Sequence, residues 1–355
     1  MKKINYLLLL FAFLPFVFTA CTSDPEPQLT VDSYDNGLLI VNEGNFFSGD
    51  GEISHYNQET GEVTNNLYQT VNGVVLAAYI EQLRVFGENA YIVDSNQGGA
   101  KVVAVDKATF REKGRVEGLE IPRDVAVAGN KLFIADWGNY DTEGNYTNPN
   151  SFVAVADING GTMVDKIPVS SRPQSIVAFS GFIYVVSEAG KELIKIDPAS
   201  LEVVSRKTLE ASPNELLISN NELILYSTVG QELHIDKIDP ANLSAANSVF
   251  EIPHSTRLIL DGEGQAWTLT SAYSADYSYT DNQVVSFSIS GSGTPKAIFE
   301  ARNLKGIGLD KTDKQLYIAD DNGIQGNGTV VIADLQGEEI SKLNVGRVPS
   351  KFYFY

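Results

Sequence analysis

The sequence is poor in the residues that most often carry chemistry. Its 355 residues include a single cysteine, Cys21, so no internal disulfide can form and no paired-thiol metal or redox site is available. Three histidines stand far apart, at positions 55, 234 and 254, and none belongs to an HExxH motif. There is no glycine-rich phosphate loop, and no GxSxG motif frames a nucleophilic serine. Positive charge is also scarce: 26 Lys and Arg stand against 45 Asp and Glu, a net charge of −19. Such a field repels nucleic acid, which needs clustered basic residues, and favours a well-solvated surface. No long amphipathic helical pattern interrupts the chain. These absences point away from an enzyme, and no catalytic residue, metal ligand or catalytic cofactor is assigned.

What is present is repetition. LFIAD (Leu132–Asp136) returns almost unchanged as LYIAD (Leu316–Asp320). Looser copies are LLIVN at Leu38, AYIVD at Ala90, IYVVS at Ile183, LILYS at Leu223 and AWTLT at Ala266. The copies lie roughly 40 to 52 residues apart, the period of a four-stranded propeller blade. Each is short, rich in β-branched and aromatic residues and closed by a small polar residue, which reads as a buried strand.

Another apolar strand precedes most copies, as in DVAVAG (Asp124–Gly129) and SIVAFSG (Ser175–Gly181). Polar pairs such as Gly129-Asn130 and Asn220-Asn221 join the two as tight hairpins. An alternating third strand follows, such as KVVAVD or ELIKIDP, and then a charged outer strand such as EVVSRKTL (Glu202–Leu209). His55 and His234 fall in third strands and are expected on blade surfaces. The expected fold is therefore all-β: a seven-bladed propeller of four antiparallel strands per blade, forming one domain over 37–355. The first unit opens at Leu38 with its second strand. The last segment, PSKFYFY (Pro349–Tyr355), is a lone first strand. Pairing the two ends closes the ring and removes two exposed sheet edges.

The N-terminus reads as an address. Lys2 and Lys3, an apolar run and Thr19-Ala20 directly before Cys21 form a secretory signal over 1–20. The position of the only cysteine resembles a bacterial lipoprotein signal, with Phe18 where Leu is usual, and implies lipidation of Cys21. An uncleaved membrane anchor is the alternative. Residues 21–36 then form a lipidated cysteine and a flexible acidic tether. That acidic stretch resembles the surface-export signal of Bacteroides-type lipoproteins and implies a lipid-anchored place on the outer face of the outer membrane.

In a propeller, one face carries the turns inside each hairpin, and these are uniformly short here. The other face carries the second-to-third loops and the links between blades, where long loops of unusual chemistry usually hold function. Three such loops stand out, at Asn42–Gly51, Asp136–Ser151 and Thr270–Gln283. They bring Phe46, Phe47, Trp137, Tyr140, Tyr146, Tyr273, Tyr277 and Tyr279 to one face among Asn, Ser, Gly and Asp, a paratope-like composition. Packing of each loop onto itself is the other reading of any single ring. Five blade links carry proline just before a first strand. They leave Arg123, Arg172, Gln174, Asn214, His254, Arg257 and Arg347 near the channel mouth as candidate donors to a ligand. Pairing of the arginines with Asp94, Asp136 and Asp320 is the alternative. A metal cluster of Glu43, Asn42, Asp94, Asp136 and Asp320, of the kind used by lactonase propellers, competes with simple turn capping by the same side chains.

The proline link, apolar strand and LYIAD pattern resembles the YncE-type seven-bladed propellers. The lipoprotein start, the opening LLIVNEGNFFSGDGEISHYNQETGEV and the aromatic loops are similar to the BtuG-type surface cobalamin-binding lipoproteins of gut Bacteroides. That resemblance implies capture of cobalamin as a bound ligand, not a catalytic cofactor. It also implies hand-over to a TonB-dependent outer-membrane transporter on which the propeller sits as a lid. No short motif marks a corrin site. A surface adhesin for protein or glycan is the non-enzymatic competitor, and a metal-dependent lactonase-type enzyme the catalytic one.

Overall fold

The computed structural model describes residues 33–96, 98–141, 148–270 and 281–355. Cys21, the signal over 1–20 and most of the 21–36 tether lie outside them, as do Tyr146, Tyr273, Tyr277 and Tyr279. Seven four-stranded antiparallel sheets form a ring, the seven-bladed propeller expected from the repeat. Blades 2 to 7 span 80–116, 122–168, 173–208, 213–250, 255–301 and 304–344, each running inner to outer in chain order. Blade 1 is shared by the two ends of the domain. The strand Pro349–Phe354 lies innermost and pairs with Leu38–Asn42, from Leu38↔Phe354 to Asn42↔Pro349. The amide of Tyr355 adds a bond to the Gly37 carbonyl at 3.1 Å.

The alternation of side chains along a strand explains the apolar repeat. In Lys131–Asp136, Leu132 and Ile134 pack toward blade 2 while Phe133 and Ala135 pack toward blade 4, all of them buried. Each pair of adjacent blades shares one such apolar cluster, so the core is a set of interblade layers rather than one central mass. A second strand covered on both faces has no polar side and reads as a continuous apolar run. The outer strands meet water on one or both faces, as in Glu202–Thr208, and carry charge accordingly.

Two local features differ from the repeat. The outer strand of blade 1 is only Val63–Thr64, followed by a one-turn helix, Leu67–Asn72, whose Leu67 and Tyr68 are buried against blades 1 and 2. Residues 33–36, read as the end of the tether, lie on the ring: the Tyr34 amide donates to the Ala108 carbonyl, and its ring meets His55 edge-on. His55 is therefore not on a blade surface. It is 3% exposed, with Nε2 2.7 Å from the Asn36 carbonyl, because this N-terminal segment covers it.

Candidate functional site

The innermost strands are straight at one end and kinked at the other. Where each begins, at the loop-rich face, its register against the second strand skips one residue. The skips lie at Ile80/Gln82, Pro122/Asp124, Pro173/Ser175, Pro213/Glu215, Ser255/Arg257, Leu304/Gly306 and Pro349/Lys351. A β-bulge of this kind bends the strand and re-aims side chains. Here it directs two successive side chains toward the axis in blades 2 to 6 and one each in blades 7 and 1. The bulged residues are Glu81, Arg123, Gln174, Asn214, Thr256, Lys305 and Ser350. The residues after them are Gln82, Asp124, Ser175, Glu215, Arg257, Gly306 and Lys351. All but Ser350 and Gly306 line one cavity of about 470 Å³ at the channel mouth, with Glu43, Tyr79, Trp137, Glu188, Tyr226 and Thr228.

The wall is dominated by charge. The Arg84 guanidinium reaches across from blade 2, donating to both Asp124 oxygens at 2.9 Å and to Glu215 at 3.1 Å. Asp124 is 2% exposed and also accepts from Ser175 Oγ and the Ile176 amide at 3.2 Å. Arg123 pairs with Glu81, which accepts from Ser95 Oγ at 2.9 Å. Glu43 is fixed by its backbone: its amide donates to the Val348 carbonyl at 2.9 Å and its carbonyl accepts from the Ile80 amide at 3.1 Å. Burial would raise its carboxyl pKa, but Lys351, Lys305, Arg257 and a Ser350 hydrogen bond outweigh that and hold it at about 2. Burial, then the Arg257 charge, pulls the Lys351 ammonium down to about 8 against the opposing pull of Glu43, Glu81 and Glu215. Tyr79 is pushed up to about 12 by burial and then by Glu43 and Glu81.

Trp137 directly follows a second strand, and its amide donates to the Ile121 carbonyl at 3.0 Å. Its ring is held between charged neighbours: the guanidinium carbons of Arg123 and Arg172 lie 4.4 and 5.1 Å from its centroid. Arg172 Nε donates to Asn148 Oδ1 at 3.0 Å. Three buried polar atoms in this part of the wall have no hydrogen-bond partner among the described residues: Trp137 Nε1, Arg123 Nε and Gln174 Oε1. Buried groups of this kind are rare in folded proteins and mark a place where something else completes the bonding.

Of the residues picked out in the sequence, Arg123, Trp137, Gln174, Asn214 and Arg257 meet in this wall. Arg172 sits against Trp137. Phe46, 38% exposed, packs edge-on against Tyr79 at 5.4 Å, while Phe47 (93% exposed) and Tyr140 (44%) project from their loops. Two candidates are elsewhere. Arg347 is held outside the wall by Asp50 at 3.0 Å and the Ile324 carbonyl at 2.7 Å. His254 is exposed in the turn before Ser255–Leu260, away from the wall, because its backbone is left-handed there, with φ 53°. Arg123, Arg257 and Arg347 do pair with acids, Glu81, Glu43 and Asp50, though not the expected ones. Asp94 binds Lys101, Asp136 accepts from the amides of Glu120, Ile121 and Gly138, and Asp320 accepts from the Asn322 amide. Those three carboxylates, with Asn42 bonded to Ser54 at 2.8 Å, do not converge on a common point; among the described residues no group of three or more His, Cys, Asp or Glu is placed to hold a metal ion.

The sequence reading missed most of the charged wall: Glu43 as a hub, Glu81, Asp124, Glu215, Lys305 and Lys351. The one available signal is a polar pair at the head of each first strand, as in Pro-Arg-Asp, Pro-Gln-Ser and Pro-Asn-Glu.

Residues 36–355 match the model of a protein family described as a domain of unknown function, DUF5074. The chain belongs to that family. No curated protein is similar to it in sequence. Among solved structures it resembles a quinonprotein alcohol dehydrogenase-like protein from Bacteroides thetaiotaomicron (12% identity, 91% of this chain and 79% of that one, TM-score 0.67). It also resembles a putative 6-phosphogluconolactonase from Bacteroides uniformis (16%, 90% and 100%, TM-score 0.64). A functionally unknown protein from Desulfotomaculum acetoxidans is a third (13%, 90% and 98%, TM-score 0.62). At these identities the likeness is one of fold.

Proposed function

We propose that this DUF5074 propeller is a binding protein that captures cobalamin across its channel mouth, without chemistry on the ligand. In this reading it is anchored at the cell surface through lipid on Cys21 and passes cobalamin to a TonB-dependent outer-membrane transporter. The observation that carries the binding role is the mouth itself. Seven bulges converge polar side chains on one cavity, and three buried polar atoms in the wall around Trp137 have no partner among the described residues. A rigid ring that presents preset donors loses little freedom on binding, which favours affinity. The choice of cobalamin rests on the resemblance of the opening segment and the lipoprotein-like start. Cobalamin is too broad to enter a 470 Å³ cavity, so it would lie over the mouth with one edge or arm dipping in. Phe46, Phe47 and Tyr140 supply exposed aromatic surface for the part that stays outside.

Calorimetric titration of the purified chain with cyanocobalamin tests this reading. One-site saturable binding, with the ligand recovered unchanged and affinity indifferent to chelators, is the expected result. Absence of binding would overturn the assignment of ligand and return the mouth to the adhesin alternative. Turnover, or loss of binding on chelation, would favour the enzyme.

A further inference from the structure

On one side of the mouth three cations share a single contacting carboxylate. Arg257, Lys305 and Lys351 come from the innermost strands of blades 6, 7 and 1. All three lean on the single carboxylate of Glu43, at 3.8, 3.3 and 3.5 Å. Among the described residues none of the three forms an ion pair with a second carboxylate. The opposite side is different: Arg84 is held by two carboxylates and Arg123 by Glu81 at close range. The cations also remain open to the cavity, their side chains 28%, 38% and 18% exposed. Their crowding is built into the backbone. A Cβ on Gly306 would meet the Ser350 carbonyl oxygen at 2.0 Å, so blades 7 and 1 approach here more closely than any other residue would allow. That approach brings Lys305 and Lys351 onto the same carboxylate. In a chain of net charge −19, three cations in direct contact with one acid form a local exception, with Glu81 and Glu215 acting on Lys351 from farther off.

We propose that Arg257, Lys305 and Lys351 form a subsite for the anionic group of a small-molecule ligand, a phosphate or carboxylate, with Glu43 holding the three cations in register around it. Charge-assisted hydrogen bonds to such a group are short and strong, and a partly desolvated cavity strengthens them. The subsite lies within the mouth assigned above to cobalamin and to that extent rests on that reading. The phosphodiester of cobalamin's nucleotide arm is the part of the ligand it would take. The subsite is also pH-dependent. Lys351 faces Glu43, Glu81, Glu215, Arg257 and Lys305, and it loses its charge as pH rises past about 8. Anion affinity then falls with it.

The test uses the full chain and two kinds of ligand. Inorganic sulfate, followed by tryptophan fluorescence (Trp137 and Trp267 together) and calorimetry, probes the anion subsite alone. Cyanocobalamin and cobinamide, which lacks the nucleotide arm, probe it in the context of capture. Wild type should bind sulfate saturably, more weakly as pH rises past about 8, and Lys351→Arg should flatten that pH profile. Lys305→Glu, on the most exposed of the three cations, should weaken both sulfate and cyanocobalamin by at least about tenfold and weaken cobinamide much less. Lys305→Arg should restore both. If cyanocobalamin binds but sulfate does not, and Lys305→Glu is without effect on cyanocobalamin, the subsite is wrong and the capture reading survives. If sulfate binds and is lost in Lys305→Glu while cyanocobalamin never binds, the subsite stands and cobalamin is the wrong ligand. Failure of both ligands on folded wild-type protein overturns both proposals.

Discussion

The two ends of each innermost strand are built differently. At the hairpin face the innermost strand of each of blades 2 to 7 runs into a short turn. Phe179 pairs with Phe182 around Ser180-Gly181, and Ser219 pairs with Glu222 around Asn220-Asn221, the turn residues all left-handed. At the mouth the same strand bulges, and side chains that a regular ladder would send between blades are turned onto the axis. One end therefore conserves register and the other gives it up. The lesson is that a repeat whose middle is fixed by packing between blades can vary its chemistry at one end of a strand without disturbing the core.

The largest effect should come from removing the strand that carries both ends for blade 1. Deletion of Lys351–Tyr355 strips four of the five pairs between Leu38–Asn42 and the closing strand and takes away Phe352 and Phe354, which pack against Tyr317. It also removes Lys351 from Glu43. We expect loss of cooperative unfolding far beyond the loss of five residues; a wild-type melting curve would show that closure is not what holds the ring.

At the mouth alone, Asp124→Ala should destabilise by about 3 kcal/mol, since it strips Arg84 of two of its three hydrogen bonds in a half-buried setting. Urea denaturation measures this directly, and a change under about 0.5 kcal/mol would mean the charged wall is not structural.

Two glutamates of the same loop region sharpen the comparison through pH. Glu43 and Glu52 are both buried, but only Glu43 has cations beside it. Burial pushes Glu52 up to about 7, despite bonds from Ser54 and from the amides of Asn66 and Leu67. A raised carboxyl pKa means the fold prefers the protonated form. Its contribution is therefore complete below the ordinary 4.5 and lost as pH climbs through about 7, a swing of about 3 kcal/mol. Glu43 has the opposite sign: its contribution is present above 4.5 and is lost as pH falls toward about 2. Glu52→Gln should raise the melting temperature above neutral pH and leave it nearly unchanged in mild acid. Parallel melting curves at all pH values would contradict this.

The smallest pair of effects separates the faces. Trp137→Ala should weaken cyanocobalamin binding by roughly thirtyfold, since a buried aromatic anchor typically contributes about 2 kcal/mol, while changing the melting temperature little. Asn242→Ala lies in a hairpin turn, where its side chain accepts only from the Ser244 amide at 2.8 Å. It should leave binding unaltered. Equal binding by both variants would move the site away from the mouth.

The blades and the closure of the ring were legible in the sequence because burial on both faces of the second strand leaves an unmistakable apolar run, and because the odd strand at Pro349 had only one partner to find. The site was legible in part. Arg123, Gln174 and Asn214 were found through the prolines that precede them. Lys305 and Glu81 have no such proline to mark the start of their strands, which begin at Leu304 and Ile80. A bulge is a slip of one residue, and periodicity averages over it. Charge pairing across the axis was harder still, since Arg84 and Glu215 are joined by ring geometry across 131 positions of chain. Of the expected aromatic rim, Trp137 lines the wall and Phe46, Phe47 and Tyr140 are exposed on their loops, while the described wall is mainly ionic.

The closing strand also sets how the ring answers to force. Leu38–Asn42 is flanked on both edges, by Pro349–Phe354 and by Glu52–Tyr56, with five paired positions on each side. A pull along the chain that enters at Leu38, resisted at the mouth, loads both ladders in shear, so many hydrogen bonds must yield together. A pull that drew the two ends of the domain apart would act at Leu38↔Phe354 and peel the pairs one at a time. The same closure is therefore strong as an anchorage and weak as a zipper, depending only on where the load is applied.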